Sequence, residues 1–387
     1  MIVLVINCGS SSAKYQLFDV HKDVCISKGV VERIGHNTAT LRHQGKASAK
    51  PVFKKVRCPD HYVAIDIIVK ALTDKDSGAI ESISQIDGIG HRVVHGGETF
   101  KESTPITPRV VASIEKYSEL APLHNPPSLL GIKACAKILK GIPQVAVFDT
   151  SFHQSMPEIA FLYGLPLDYY RKYAIRKYGF HGTSHRFVSH EAAKRIGRPL
   201  KTLKIITCHL GNGCSMTAVK SGHSIDTSMG FTPLEGLMMG TRSGDIDPAA
   251  VLYIAEKSGF SLKAVNDILN KKSGLLGISG VSNDMRDILK RSKKSGPSAA
   301  RCKLAIEMFI YRIKKYIGSY VAAMGGLDAV VFTAGISENN GWLVSRIKRD
   351  LKPCVPSGAR FMVVPTNEEL LIARDTYEAI KTKRKRG

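Results

Sequence analysis

Short apolar runs alternate along this chain with stretches whose hydrophobic residues recur every three or four positions. Residues 3–7 form a run that is apolar up to Asn7, and a turn of small residues leads into a second strand pattern at 13–20. Such runs predict strands here and at 85–94, 144–148 and 327–333. The helical period predicts helices at 62–73, 107–120, 127–140, 184–196, 247–258, 261–270, 297–324 and 367–382. Strands that alternate with helices indicate an α/β fold.

A second hairpin pattern appears about two hundred residues after the first. Residues 204–209 predict a strand, 210–213 a turn rich in glycine, and 214–219 the return strand. Because each hairpin opens one half of the chain, we expect a duplicated domain. Two unrelated hairpins remain the alternative at this point.

The composition is that of a globular protein, with 43% hydrophobic residues. No segment reaches the roughly 18 uncharged apolar residues that a membrane span needs. The eight cysteines include no Cys-x-x-Cys motif, and the apolar N-terminus lacks a basic lead-in. We therefore expect a soluble, cytoplasmic protein with reduced thiols and no membrane partner.

The chain is strongly basic, with 56 Lys and Arg against 33 Asp and Glu and a net charge of +23. Local clusters lie at 290–294 and 381–386, but the charge is not gathered in one domain. We interpret them as solvated faces, with no specific nucleic-acid partner. The alternative, a basic nucleic-acid-binding protein, predicts salt-sensitive binding. A positive field also favours an anionic substrate such as a nucleotide.

Both hairpin turns could bind phosphate, since small residues let successive backbone N–H groups approach an anion. The first turn, residues 9–12, has Lys14 nearby, and the second comprises 210–213. An Asn-Gly pair is also a common plain hairpin turn, so each signal alone is weak. The P-loop and protein-kinase signatures are absent.

Two arginines are framed by glycines. Arg92 lies on a predicted strand that runs into Gly96 and Gly97, and Arg242 lies in the segment 226–248. That segment is too polar and irregular for a core and too long for a turn, which favours a functional loop. A guanidinium can bind carboxylate or phosphate in a bidentate fork.

Other candidate site residues could also have a purely structural role. His181 and His185 are four residues apart, which on one helix would suit zinc, but Gly182 intervenes. Asp149 follows an apolar strand, where a carboxylate can hold a metal or merely cap a helix. Thr366 is the predicted N-cap of the last helix, with Glu369 three residues on.

Eight motifs in order resemble the acetate kinase family. They are Val-Ile-Asn-x-Gly-Ser-Ser-Ser at 5–12, His-Arg-Val-Val-His-Gly-Gly at 91–97, Ala-Pro-Leu-His-Asn-Pro at 121–126, Tyr-Gly-Phe-His-Gly-Thr-Ser-His at 178–185, His-Leu-Gly-Asn-Gly at 209–213, the loop ending Gly-Thr-Arg-Ser-Gly-Asp at 240–245, Phe-Thr-Ala-Gly-Ile at 332–336 and Pro-Thr-Asn-Glu-Glu at 365–369.

The resemblance implies the fold of acetate and sugar kinases, Hsp70 and actin: two duplicated, ribonuclease H-like α/β domains that face each other across a cleft. We expect one domain at 1–148, with a C-terminal helix at about 374–387 packing back on it, and a second at 149–373. The implied reaction is reversible transfer of the ATP γ-phosphoryl group to acetate, giving acetyl phosphate and ADP, in a homodimer. Mg²⁺ is the implied metal, and Mn²⁺ could substitute.

The resemblance also implies roles for individual residues. Asn7 and Glu368 would hold the metal, and Asp149 would orient or hold it rather than accept a proton. Arg92, Arg242 and His181 would bind the carboxylate and the phosphoryl group during in-line displacement. The apolar substrate pocket would comprise Val94, Leu123, Phe180 and Pro233, with His124 beside it in an open role. Nucleotide contacts would come from Lys14, His209, Leu210, Gly211, Asn212, Gly213, Asp284, Met285, Arg286, Gly335, Ile336, Ser337, Glu338 and Asn339.

Ser337 departs from the family, which usually has glycine there, and it could alter nucleotide preference or simply be tolerated. A propionate or other short-chain acid kinase remains the alternative, because one methylene changes discrimination by only about 1–3 kcal/mol.

Overall fold

The computed structural model describes residues 1–45 and 50–386, without the side chains of 383–386. Most of the basic tail at 381–386 therefore lies outside the described side chains. The chain forms two compact units, residues 1–151 with 367–387 and residues 152–366. The domain boundaries expected from the sequence, at 148/149 and 373/374, would assign Asp149 and Glu368 to the second domain. In the structure both residues belong to the first unit.

The strands of the first unit form one sheet in the order β5-β4-β3-β2-β1-β6-β8-β7. The strands are β1 (Ile2–Gly9), β2 (Ser12–Asp19), β3 (Val24–Glu32), β4 (Thr40–Gln44), β5 (Val52–Lys55), β6 (Gly88–Val93), β7 (Thr104–Pro105) and β8 (Gln144–Phe148). The helices are α1 (His61–Leu72), α2 (Pro108–Lys116), α3 (Asn125–Ile138) and, from the end of the chain, α14 (Glu368–Arg386).

The second unit contains a sheet in the order β11-β10-β9-β12-β13. Its strands are β9 (Lys204–Leu210), β10 (Cys214–Lys220), β11 (His223–Thr227), β12 (Ala329–Thr333) and β13 (Arg360–Val363). Its helices are α4 (Glu158–Phe161), α5 (Leu167–Tyr173), α6 (Gly182–Ile196), α7 (Pro248–Ser258), α8 (Leu262–Lys271), α9 (Gly274–Ser279), α10 (Met285–Ser292), α11 (Pro297–Met324), α12 (Gly335–Glu338) and α13 (Gly341–Leu351). Short 3₁₀ turns lie at Ile83–Gln85, Tyr117–Glu119, Ser151–Ser155 and Leu200–Thr202.

The two sheets share one topology. In the first unit, β1 pairs antiparallel with β2 and parallel with β6, which pairs parallel with β8. In the second unit, β9 pairs antiparallel with β10 and parallel with β12, which pairs parallel with β13. The same connectivity in both halves confirms the predicted duplication of an α/β domain.

Helix α14 lies directly on β6 because that strand offers two glycines. A Cβ at Gly88 would come within 2.4 Å of Ile380 Cδ1, and one at Gly90 within 2.4 Å of Thr376 Oγ1. Any larger residue there would force helix and strand apart. The end of the chain therefore completes the core of the first unit.

In the second unit the central strands read as continuous apolar runs because they are covered on both faces. Every residue of β12 is buried. The long helix α11 buries one stripe, which includes Phe309, Ile313 and Ile317. Within the described residues, no helix is both long and apolar enough to cross a membrane.

Candidate active site

Parallel pairing of β6 and β8 places two predicted residues side by side in the first unit. Val93 pairs with Phe148, and the N–H of Asp149 donates to Val93 O at 2.9 Å. Arg92 Nε donates to Asp149 Oδ1 at 3.3 Å, and Nη2 donates to Oδ2. The result is a bidentate ion pair in which Asp149 is only 1% exposed.

Glu368, the first residue of α14, joins this pair. Its Oε2 lies 3.7 Å from Arg92 Nε. The helix begins here because Asn367 Oδ1 accepts from the N–H of Leu370 at 3.0 Å. The predicted cap, Thr366, was therefore wrong by one residue; its hydroxyl accepts from Ser184 instead.

Crowding of charge in this cluster shifts two pKa values. Burial opposes the charge of Arg92, but Asp149 and then Glu368 outweigh it and raise the pKa of the guanidinium. Burial raises the pKa of Glu368 to about 7; Arg92 lowers it and Asp149 raises it further. One cation thus faces more carboxylate than it can neutralise, so the cluster favours an additional cation.

Asn7 and Lys14 lie opposite each other on β1 and β2. They line a cavity of about 540 Å³ together with Glu369 and with polar side chains of β3 and β4, among them Lys28 and Arg42. Lys14 is exposed. Its positive charge lowers the pKa of Glu368, so these side chains adjoin the carboxylate cluster.

The residues present fit a magnesium ion. Asn7 supplies an amide oxygen, and Glu368 and Asp149 supply carboxylates, which are the donors that hard divalent cations prefer. In the described parts of the chain, no group of three His, Cys, Asp or Glu side chains could hold a metal by itself. Magnesium, however, usually takes only one or two carboxylates and completes its shell with water and phosphate oxygens.

In the second unit, Arg242 lies in a segment that follows β11 and contains no helix or strand up to α7. The expectation that this segment lies outside the core was wrong for several side chains. Met229, Leu237 and Met239 are fully buried. They anchor the segment, while Asp245 Oδ1 accepts from the N–H of Gly236 at 2.8 Å. Arg242 is thus held on an irregular but packed backbone.

The guanidinium of Arg242 is half-buried and, among the residues that the structure describes, it bonds to weak acceptors. Nη1 donates to Pro233 O at 3.4 Å and lies 3.8 Å from Met239 Sδ. Among the described residues, no carboxylate forms an ion pair with it. Burial lowers its pKa, and the neighbouring Cys214 raises it slightly. The charge is thus partly desolvated and, in the described part of the chain, is not neutralised by an acidic side chain.

Arg242 and His181 both adjoin the glycine turn between β9 and β10. A Cβ built at Gly213 would lie 3.4 Å from Arg242 Nη1 and 3.6 Å from His181 Nε2. The turn is closed by the N–H of Gly211, which donates to Gly213 O at 3.1 Å. Gly240 approaches so closely that its Cβ would be 2.1 Å from Asn212 Oδ1. A guanidinium and an imidazole therefore converge on Gly213, which has no side chain of its own.

His181 immediately precedes α6 and has a left-handed backbone, with φ of 56°. Its ring stacks on His209 at 4.2 Å between centroids. His181 Nδ1 and His185 Nε2 both bond to Ser215 Oγ, at 2.8 and 2.7 Å. The two histidines therefore share a serine hydroxyl, and the geometry gives no support to the zinc alternative.

The other predicted nucleotide contacts lie mostly around a cavity of about 310 Å³ in the second unit. It is lined by Gly211, Asn212, Asn283, Asp284, Met285, Arg286, Gly335, Ile336, Asn339 and Asn340. The sequence interpretation missed Asn283 and Asn340, each of which directly follows or precedes a predicted residue. The Nδ2 of Asn283 donates to Asn212 Oδ1 at 2.8 Å, which links two walls of the cavity.

Six predicted contacts do not line this cavity, and two of them, Lys14 of the first unit and Gly213 of the turn, are described above. Ser337 is buried, and its hydroxyl donates to Thr333 O at 2.6 Å. Glu338 Oε1 accepts from the N–H of Ala334 at 2.6 Å. His209 and Leu210 lie on β9, just before the turn. The serine that departs from the family pattern thus bonds to the backbone at the end of β12 and does not line the cavity.

The predicted apolar substrate residues are divided between the units. Val94 is buried and Leu123 is 67% exposed in the first unit. In the second unit Phe180 is buried, and the carbonyl of Pro233 contacts Arg242. His124, whose role was left open, precedes α3, and its carbonyl accepts from Ser128 Oγ at 3.0 Å.

Comparison with known proteins agrees with the duplicated α/β topology. Residues 2–355 match the model of the Acetokinase family. Acetate kinase of Halothermothrix orenii is 51% identical over 99% of this chain and 100% of the relative.

Solved structures give the same picture. The crystal structure of Porphyromonas gingivalis acetate kinase superposes with a TM-score of 0.93, at 43% identity over 98% of this chain and 99% of that one. A propionate kinase from Francisella tularensis gives 0.89, at 40% identity over 97% of this chain and 99% of that one. The fold is the duplicated, actin-like α/β fold. The chain belongs to the acetokinase family.

Proposed function

We propose that this protein is an acetate kinase, which transfers the γ-phosphoryl group of ATP reversibly to the carboxylate of acetate. Family membership supports the reaction class. The observation that carries the assignment to particular residues is the half-buried Arg242 guanidinium, which has no acidic partner among the described residues and lies beside His181 at the glycine turn.

The acceptor needs no strong general base. A carboxylic acid has a pKa of about 4–5, so acetate is already ionised at neutral pH. The difficulty is to bring one anion to another, and in a loose phosphoryl transition state the protein mainly positions and neutralises. We assign Arg242 and His181 to the transferring phosphoryl group and Arg92 to the acetate carboxylate. In-line displacement then needs no covalent enzyme intermediate.

Asp149 acts as an orienting group in this proposal. Both of its oxygens are bonded to Arg92, which fixes the plane of the guanidinium and leaves Asp149 poorly placed to accept a proton from substrate. Asn7 and Glu368, with Asp149, would hold Mg²⁺, or Mn²⁺ in its place. The bound metal would neutralise charge on the nucleotide phosphates.

The nucleotide base and ribose would occupy the 310 Å³ cavity of the second unit, whose polar rim comes from Asn283, Asp284 and Asn339. Lys14 and the turn at 211–213 would contact phosphates. The methyl group of acetate would contact Val94, Leu123, Phe180 and Pro233. We also propose a cytoplasmic homodimer. Large apolar side chains exposed on α7 and α8, such as Leu252 and Leu262, offer a surface for a second copy.

A hydroxamate assay for acyl phosphate tests the proposal directly. Purified protein with ATP, Mg²⁺ and acetate should form acetyl hydroxamate, and protein incubated with EDTA should not. Steady-state kinetics on acetate, propionate and butyrate test the substrate. A kcat/KM for propionate above that for acetate would assign the enzyme to propionate, and no acyl phosphate with any of the three acids would refute the reaction.

A further inference from the structure

A chain of buried hydrogen bonds runs from β9 to the candidate catalytic histidine. Ser215 Oγ, on β10, lies between His181 Nδ1 at 2.8 Å and His185 Nε2 at 2.7 Å. His185 Nδ1 in turn lies 2.7 Å from Thr207 Oγ1. Ser215, His185 and Thr207 have no exposed surface. A hydroxyl has one proton, so each bond fixes the direction of the next.

The direction can be followed from Thr207. Its hydroxyl lies 3.4 Å from the carbonyl oxygen of Thr217, which can only accept, and we assign the hydroxyl proton to that bond, so that Thr207 accepts from His185. His185 Nδ1 must therefore carry a proton. Complete burial lowers the pKa of His185 well below its usual value, aided by His153 and His209, so the ring is neutral. Its Nε2 is then an acceptor, and Ser215 donates its only proton to it.

With its proton committed to His185, Ser215 can only accept from His181. We propose that Ser215 and His185 are positioning residues that hold His181 in the tautomer protonated at Nδ1, so that Nε2 is the ring atom presented beside Gly213 and Arg242. This hydrogen-bond relay, formed by Thr207, His185 and Ser215, also restrains the ring of His181. The backbone of His181 has the left-handed conformation, which residues other than glycine adopt at a cost in free energy.

The stacked neighbour of His181 is held in the same way by an independent set of residues. His209 Nδ1 lies 2.9 Å from Ser184 Oγ, whose hydroxyl donates to Thr366 Oγ1 at 2.9 Å. Ser184 therefore accepts from a protonated Nδ1 of His209. A Cβ at Gly211 would lie 3.6 Å from His209 Nε2. Both rings thus present Nε2 to the glycine turn.

The consequence concerns what His181 can offer to a phosphoryl group. With Nδ1 protonated, the neutral ring has a lone pair at Nε2, which would repel an anionic oxygen. The ring donates from Nε2 only as the imidazolium, and it then adds a positive charge beside Arg242. In the opposite tautomer, a neutral ring would already donate from Nε2.

The test combines tautomer spectroscopy with kinetics. Protein labelled with ¹⁵N-histidine is examined by long-range ¹H–¹⁵N correlation at a pH where His181 is neutral, with His181→Asn to assign the ring. Asparagine tolerates the left-handed backbone at this position. We expect a protonated Nδ1 and an unprotonated Nε2. A protonated Nε2, or an even mixture of tautomers, would overturn the proposal.

Three variants test the positioning role. Ser215→Ala should give a mixed tautomer and a fall in kcat of roughly tenfold, with KM for acetate nearly unchanged, because one orienting hydrogen bond is lost. Ser215→Thr, which keeps the hydroxyl, should restore both. Ser228→Ala is the matched control, since Ser228 is equally buried and its hydroxyl accepts from the N–H of Met216 at 2.9 Å.

An unchanged tautomer and kcat in Ser215→Ala, or an equal loss of kcat in Ser228→Ala, would refute the role. The kinetic arm rests on the proposed function, but the spectroscopic arm does not. A protein that makes no acyl phosphate and still shows Nδ1 protonation would retain the relay and lose the function.

Discussion

The two candidate arginines occupy opposite electrostatic surroundings. Arg92, in the first unit, forms ion pairs with Asp149 and Glu368, and these carboxylates raise the pKa of its guanidinium. Arg242, in the second unit, contacts a carbonyl and a thioether, and burial lowers its pKa. One guanidinium is more than neutralised by the protein, and the other has no acidic counterion among the described residues.

This difference indicates two roles for arginine in a site, one as a fixed, oriented group and one as a charge that binds an anion. A paired guanidinium is fixed in orientation, and its charge is largely cancelled before any ligand arrives. An unpaired, half-buried guanidinium costs stability and interacts strongly with an anion, because little water competes for it. We therefore expect Arg242 to matter mostly for rate and Arg92 for both folding stability and substrate orientation.

The largest expected effect belongs to Arg242→Ala. Loss of the unpaired charge should lower kcat about 10³-fold, the low end for arginines that act on a phosphoryl transition state. No carboxylate is left unpaired, so the melting temperature should stay close to that of the parent. Arg242→Lys, which keeps charge without the fork, is the matched control. If the turnover of Arg242→Ala stayed within tenfold of the parent, Arg242 would not stabilise the phosphoryl transition state.

Arg92→Ala should instead destabilise the fold. It leaves the buried Asp149 and the partly buried Glu368 without their cation, a loss of about 3 kcal/mol for a broken buried pair. Urea unfolding measures it. The double variant Arg92→Ala with Asp149→Asn should recover part of the loss, since a neutral amide replaces the orphaned charge. Equal stability of the Arg92→Ala and Arg242→Ala proteins would contradict the claim that only Arg92 contributes to folding stability.

Glu368→Gln tests the excess of negative charge around Arg92. Because the pKa of Glu368 is raised to about 7 in the fold, the folded protein binds more protons than the unfolded one between about pH 4.5 and 7. The stability of the parent therefore falls as pH rises through that window. The advantage of Gln should grow across it, to roughly 1–3 kcal/mol, and then level off.

Unfolding free energies of the parent and Glu368→Gln at pH 5 and pH 8, without divalent cations, measure this effect. Glu369→Gln removes one negative charge from the same helical turn and is the matched control. A stability difference between Gln and Glu at position 368 that does not change with pH would show that the carboxylate is not crowded.

The smallest expected effect is that of Gly213→Ala. The new methyl group would lie 3.4 Å from Arg242 Nη1 and 3.6 Å from His181 Nε2, which is ordinary contact, so the fold should be unaffected. It would occupy space that we assign to a bound anion. We expect kcat/KM for ATP to fall about tenfold, because a misplacement of the order of 1 Å can cost up to about 10²-fold. Unchanged kcat/KM would place the anion elsewhere.

Sequence patterns predicted the long, periodic elements best. Helix α11 was predicted at 297–324 and has those bounds, because its apolar stripe is regular and Gly325 follows it in a left-handed conformation. The strands β4 and β5 were not predicted. β5 is mostly exposed and β4 alternates buried with exposed positions over only five residues, so neither has an apolar run. Helix α13 was also not predicted, although its buried residues Leu343, Val344, Ile347 and Leu351 follow a helical period.

The site residues were predictable where their positions follow from the pairing of parallel strands. Asp149 follows β8 and Arg92 is the penultimate residue of β6, and neighbouring parallel strands bring their carboxyl ends together. Ser215 was not predictable, since a lone serine on a buried strand has no distinguishing pattern. Its role depends on how α6 lies on β9 and β10, which only tertiary packing decides. The burial of Met229 and Leu237 in an irregular segment likewise has no periodic signal.

The packing of α14 on Gly88 and Gly90 also sets the order in which the protein can mature during synthesis. All of the second unit has been translated by residue 366, whereas the first, although it begins the chain, still lacks the helix that covers β6 and the carboxylate of Glu368. The half that leaves the ribosome first is therefore the last to be finished, and until then its sheet exposes an apolar face that chaperones could recognise.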